Sequence, residues 1–215
     1  MGFFGDLGKS INQAFGGADS ELLANGTLGR GLIISATPSG GTLQVIGGLV
    51  ERTCTFQVRV LLDGQLPYQA AAQQRVPELY LSTQFQPGAA VAVRVDPAQP
   101  QRIALDINTP APSVRLARNS GPGSAEDILE HGTDATVVLV ESMDAGYQDY
   151  RGYEMYAFQL TVATGAPQPY QVQAGNAVPP ESLPLLYPGS KLHAKIGSDP
   201  NQVVVDFSRG AVTGA

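Results

Sequence analysis

Pro67-Tyr68-Gln69, followed by Val76-Pro77, decides the fold, because the chain writes the same words again as Pro169-Tyr170-Gln171 and Val178-Pro179. Upstream, Thr55-Phe56-Gln57 returns as Ala157-Phe158-Gln159. Downstream, Pro87-Gly88, Asp96-Pro97 and Leu105-Asp106 return as Pro188-Gly189, Asp199-Pro200 and Val205-Asp206. The offset stays near about 100 residues, too long for a solenoid unit and suited to a duplicated domain. A chain of 215 residues holds one or two domains, and the repeat selects two. Each copy is long enough to close a core without staples, and the single cysteine, Cys54, could not supply one within the chain.

Around these landmarks the pattern is that of strands. Cys54, Phe56, Val58, Val60 and Leu62 alternate with Thr55, Gln57, Arg59 and Leu61, which predicts a half-buried antiparallel strand with the first set inward. The second copy repeats the alternation, with Tyr156, Phe158, Leu160 and Val162 inward. Runs rich in Ile, Leu and Val at Gly31 to Thr37 and Ala135 to Glu141 precede these strands. A hairpin through Val91–Val95 and Ile103–Ile107 closes the first copy. Val76-Pro77 and Val178-Pro179 end the third strand, since proline cannot donate to a ladder, and a short irregular or helical piece follows each. The expected class is therefore all-β. Two tandem five-stranded OB-like β-barrels are expected, with short capping helices and an N-terminal amphipathic helix.

Boundaries follow from repeated openings. Asp19 or Ser20 can cap a helical turn that Asn25-Gly26 stops, and Ser124 with Asp127 does the same before Gly132. Residues 19–107 and 124–207 are the expected barrels. The Pro- and Gly-rich stretch 108–123 is the expected linker, and 208–215 a tail. In residues 1–18, Phe3, Phe4, Leu7, Ile11 and Phe15 recur at helical spacing and predict an amphipathic helix. Its glycines weaken it, so it is expected to lie on a surface, either protein or the inner face of a membrane.

The repeated Pro-Tyr, Val-Pro, Pro-Gly and Asp-Pro words, behind the opening Met1-Gly2-Phe3-Phe4, resemble a group of uncharacterised actinobacterial proteins. The resemblance implies tandem small β-barrels and carries over no catalytic position.

No apolar run approaches the roughly 20 residues of a membrane span, and the first residues lack the order of a signal peptide, so a cytoplasmic protein is expected. The net charge of −6 is unevenly shared, with Arg151, Lys191 and Lys195 facing many carboxylates in the second copy. That disfavours phosphate-backbone binding there and favours a basic or protein partner. The imidazoles are His131 and His193, with no nucleophile elbow, P-loop or dinucleotide fingerprint beside them, so no enzymatic role, cofactor or metal is expected. The carboxylates Glu126, Asp127, Glu130 and Asp134 cluster near His131, where a capped helix explains them without a cation.

Divergence between the copies points to the sites. The connection between the first two strands, Pro38 to Arg52, holds Leu43 and Ile46; its counterpart, Met143 to Tyr153, holds Tyr147, Tyr150 and Tyr153. That connection often carries recognition in such barrels, and tyrosine gives contact area at low entropy cost; the equal alternative is that both are long hairpin ends packed on their own barrel. The expectation is a non-catalytic protein-binding or scaffold protein, an accessory subunit of a larger or membrane-peripheral assembly, with homo-oligomer formation open. Its contacts would run through these five residues and the Phe-bearing helix. A single-stranded nucleic-acid-binding protein is the alternative, and a hydrolytic enzyme the third.

Overall fold

A computed structural model describes residues 19–39, 44–46, 49–164 and 168–212. Phe3, Phe4, Leu7, Ile11, Phe15 and Leu43 lie outside the described residues, as does the Ile46 side chain. The chain divides into two compact units, Met1–Val114 and Arg115–Ala215. The division falls inside the stretch read as a linker.

Unit 1 opens with helix α1 (Ser20–Asn25) and then carries strands β1 (Thr27–Pro38), β2 (Gln44–Ile46), β3 (Leu49–Leu61) and β4 (Tyr68–Pro77). Helix α2 (Glu78–Thr83) follows, then β5 (Ala90–Asp96) and β6 (Gln99–Asp106). Unit 2 repeats the plan with α3 (Ala125–His131), β7 (Thr133–Gln148), β8 (Glu154–Thr164) and β9 (Tyr170–Val178). A 3₁₀ turn at Pro180–Leu185 then leads to β10 (Lys191–Ile196) and β11 (Val203–Val205). The class is all-β, and both sheets are antiparallel.

Hydrogen-bonded neighbours run β4-β3-β1-β5-β6 in unit 1, with β2 an added hairpin arm on β3, and β9-β8-β7-β10-β11 in unit 2. Duplication is thus written in the strand order as well as in the turns. In both units the first strand serves two neighbours by carrying an extra residue. Ile34 is left over between the pairs Ile33↔Val58 and Ser35↔Gln57, and Val140 between Leu139↔Leu160 and Glu141↔Gln159. A bulge of this kind bends a strand and lets it turn from one partner to the next.

The end strands of each sheet adjoin without a backbone ladder, and a buried carboxamide joins them. Gln74, only 4% exposed, donates through Nε2 to the Leu105 carbonyl at 2.9 Å and accepts from the Leu105 N–H at 2.9 Å. Asn176 makes the same pair of bonds to Val205 at 3.4 and 3.3 Å. One side chain thereby satisfies a backbone donor and acceptor that would otherwise be buried unpaired.

The inward faces follow the alternation: Cys54, Phe56, Val58 and Val60 are fully buried in unit 1, and Phe158, Leu160 and Val162 are buried in unit 2. Phe85 fills the first core beside Phe56, with ring centroids 5.0 Å apart. Leu61, expected outward, is fully buried as well, at the end of β3 where it pairs with Arg30. Cys54 is a buried free thiol within that core.

Asp19 caps α1 by accepting from the Leu22 N–H, and Ser124 caps α3 by accepting from the Asp127 N–H. Both helices stop at the expected glycines. Gly26 and Gly132 are extended, at φ −67° and −69°, so they need no left-handed backbone. They need room, because a Cβ on Gly26 would stand 2.6 Å from the Leu22 carbonyl oxygen and one on Gly132 2.5 Å from that of Ile128.

Candidate functional site

Among the described residues, both first-strand connections carry hairpin strand pairing. In unit 1, β2 pairs with the start of β3 through Gln44↔Glu51, Val45↔Val50 and Ile46↔Leu49. In unit 2, β7 runs as strand to Gln148 and pairs with Glu154 on β8, so only Asp149 to Tyr153 forms the tip. Met143 to Gln148, expected within the connection, therefore belongs to a ladder. Ala145, Gly146 and Tyr147 bulge out between the pairs Asp144↔Tyr156 and Gln148↔Glu154, which places Tyr147 half-buried on one arm.

Asp149 organises the tip. Its carboxylate, 9% exposed with the residue, accepts from the backbone N–H groups of Arg151 at 2.9 Å and Tyr153 at 3.0 Å. It also accepts from Arg151 Nε at 2.7 Å. Gly152 completes the turn at φ +88°, a backbone that only glycine adopts without strain.

This turn sets two tyrosines against two guanidinium groups. Arg118 and Arg151 lie over the Tyr150 ring at 5.5 and 5.4 Å from its centroid, and Arg151 lies over Tyr153 at 4.7 Å. Cation–π contacts of this kind are worth about 0.5–1 kcal/mol each at exposed sites. Arg118 comes from the stretch read as a linker. That stretch docks on the hairpin: Leu116 N–H donates to the Gln148 carbonyl at 2.9 Å, and Arg115 forms a parallel bridge with Gln148.

Helix α3 supplies the remaining member. Glu126 accepts from Arg118 Nε at 3.1 Å and Nη2 at 2.9 Å, and from the Tyr150 hydroxyl at 2.7 Å. The Arg118 and Tyr150 bonds hold the Glu126 carboxyl below its ordinary range, and the bond to Glu126 pushes the Tyr150 phenol up. What results is a partly exposed surface of alternating arginine and tyrosine, braced by two carboxylates.

The other sequence candidates disperse. Asp127 accepts from the Gly123 N–H at 2.7 Å and meets His131 Nδ1 at 3.1 Å; Asp134 pairs with Lys195 and Arg209. His131 does stand beside a carboxylate, on a half-open depression of about 380 Å³ that Ile128, Ile196 and Gln202 also line. Its side chain is 68% exposed, and this spacing of four on a helix surface pairs residues without any catalytic demand. His193 is half-buried inside β10.

Tyr68 and Tyr170 are turn clamps: the first donates to the Pro100 carbonyl at 2.9 Å and the second to the Pro200 carbonyl at 2.7 Å. Asp96 and Asp199 each fold their own turn by accepting from the N–H two residues on.

Sequence reasoning missed Arg118 and Glu126 as parts of this surface, and did not single out Asp149 and Arg151 within the connection that holds the tyrosines. The available signal was an Asp-Tyr-Arg-Gly-Tyr tip at residues 149–153, whose acid can fold the turn and whose arginine can stack. Comparison with protein-family models, curated proteins and solved structures returned no match.

Proposed function

We propose that the chain is a non-catalytic binding protein, two tandem OB-like barrels in which the tip of the second hairpin meets a protein partner. The barrel reading is supported by the shared strand order and by the carboxamide that joins the end strands in each unit. The observation that carries the binding reading is the ladder of Arg118, Tyr150, Arg151 and Tyr153. Arginine and tyrosine are the residue types that concentrate binding energy at interfaces, and side chains already held in place lose little entropy on contact. The surrounding frame matches between the units, whereas among the described residues the ladder belongs to the second alone. A surface of this kind suits an accessory or scaffold role in a larger assembly.

The test is the triple substitution Tyr147→Ser, Tyr150→Ser and Tyr153→Ser in the full chain, purified gently beside the unaltered protein. A partner recovered stoichiometrically with the unaltered chain should be lost from the variant. The thermal midpoint should fall by no more than about 4–8 °C, the equivalent of ~1 kcal/mol in a domain of this size. Equal recovery from both chains would discard the site.

A further inference from the structure

Unit 2 is acidic, with eleven carboxylates against six cations, yet three of its four arginines gather at one place. Arg118 and Arg151 flank the Tyr150 ring, and Arg115 bonds to Gln148 beside the tip, close enough that a Cβ on Gly152 would meet its Nη2 at 3.1 Å. The guanidinium faces of Arg118 and Arg151 are spent on tyrosine, and one edge of each is spent on Glu126 or Asp149. Other edges are left over. Among the described residues, nothing accepts from Nη1 of Arg118 or from either Nη of Arg151.

Resting on the binding reading above, we propose that this tip recognises a carboxylate-bearing segment of the partner, an acidic peptide whose side chains dock on the open edges of Arg118 and Arg151. Guanidinium groups match carboxylates in geometry, and groups whose planes are fixed by stacking present their donors without further ordering. Glu126 acts as the resident competitor. It occupies the Nε and Nη2 edge of Arg118 that an incoming carboxylate would prefer, and it is surface-exposed enough to exchange.

A single strand of nucleic acid is the less favoured occupant, because base stacking needs an open aromatic face, whereas both tyrosine rings already carry guanidinium groups.

The experiment is a titration of the full chain, followed through the side-chain N–H resonances of Arg118 and Arg151 by NMR. Three probes are used: an octapeptide alternating Glu and Ala, the same peptide with Gln for Glu, and an oligothymidylate of twelve residues. The Glu peptide should shift both arginines, and the Gln peptide should leave them in place. Arg118→Gln with Arg151→Gln should weaken Glu-peptide binding roughly fivefold or more, and Glu126→Gln, which keeps the hydrogen-bonding shape and removes the competing charge, should strengthen it.

Equal shifts from both peptides, or none, would overturn carboxylate recognition. Tighter binding of the oligothymidylate at the same resonances would replace it with nucleic acid. The two readings fail separately: if the tyrosine variant loses its partner while the Glu peptide leaves the arginines untouched, partner binding stands and its acidic character falls.

Discussion

At the same point in the two units the chain does different things with one hairpin. Unit 1 carries a glycine-rich stretch at this point of its sequence, whereas unit 2 ends its hairpin in Asp149-Tyr150-Arg151-Gly152-Tyr153, locked by an aspartate and stacked on arginine. Much beneath these arms agrees: the bulges at Ile34 and Val140, the caps at Asp19 and Ser124, the clamps at Tyr68 and Tyr170, the seams at Gln74 and Asn176. Frame residues recur because each answers a backbone requirement that any antiparallel sheet of this strand order would impose. Beyond Asp149 and Gly152, which shape the turn, the side chains of the tip answer no such requirement and are free to differ.

The largest difference between the units should appear at the seam. Gln74→Leu strips both bonds from a buried backbone donor and acceptor and should cost about 2–4 kcal/mol in urea denaturation. Asn176→Leu should cost about half that, since its bonds to Val205 are longer. Equal losses would mean that the carboxamides fill space rather than close the sheets.

Next in size is the helix stop. Gly26→Ala should cost about 1–3 kcal/mol through overpacking. Gly132→Ala should sit at the upper end, because its Cβ would meet the carbonyl oxygens of both Ile128 and Ile196. Both variants as stable as the parent would remove the close-approach explanation.

Acid should separate the units further. In unit 1, Asp19 is pushed up by burial but held lower overall by the Leu22 N–H and Arg102; Asp96 is held low by the Ala98 N–H and Arg102. Asp106 is likewise pushed up by burial and brought below its usual range by Thr109 and Arg94. Folded values that lie below the unfolded one give stability that is present above about pH 3.9 and lost as pH falls through the folded values. Ser124 stands where Asp19 does, so the Arg102 bridge between helix cap and hairpin has no copy in unit 2. Hydrogen exchange at about pH 3 compared with about pH 6 should show unit 1 loosening, and Arg102→Ala should flatten that dependence. An Arg102→Ala profile as steep as the parent's would contradict the assignment.

The smallest effect should be shared equally. Tyr68→Phe and Tyr170→Phe each remove one exposed hydrogen bond to a proline carbonyl and should cost no more than about 0.5–1 kcal/mol apiece. A much larger loss at one of them would break the equivalence of the two clamps.

What could be read from the sequence was local. Asp96-Pro97, Pro87-Gly88 and Ser124 declare themselves because an Asx turn, a glycine at φ +88° or an N-cap is settled within four residues. The alternation around Phe56 and Phe158 showed which face lies inward for the same reason. Bulges and seams could not be read, since Ile34 is surplus only once Ile33 and Ser35 have found Val58 and Gln57, and Gln74 looks like any polar strand residue until Leu105 arrives. The site was half legible. Tyr150 and Tyr153 stood out by type, but Arg118 was hidden in a Pro- and Gly-rich stretch whose composition suggests a linker and whose backbone docks on Gln148.

The most direct test of the claim that recognition resides in the diverged tip is to replace Asp149 to Tyr153 with a two-residue Asn-Gly turn, then measure partner affinity and folding together. Loss of the partner from a chain that still unfolds cooperatively near the parent's midpoint is the predicted result. Undiminished affinity in the shortened hairpin would contradict it and return recognition to the shared frame.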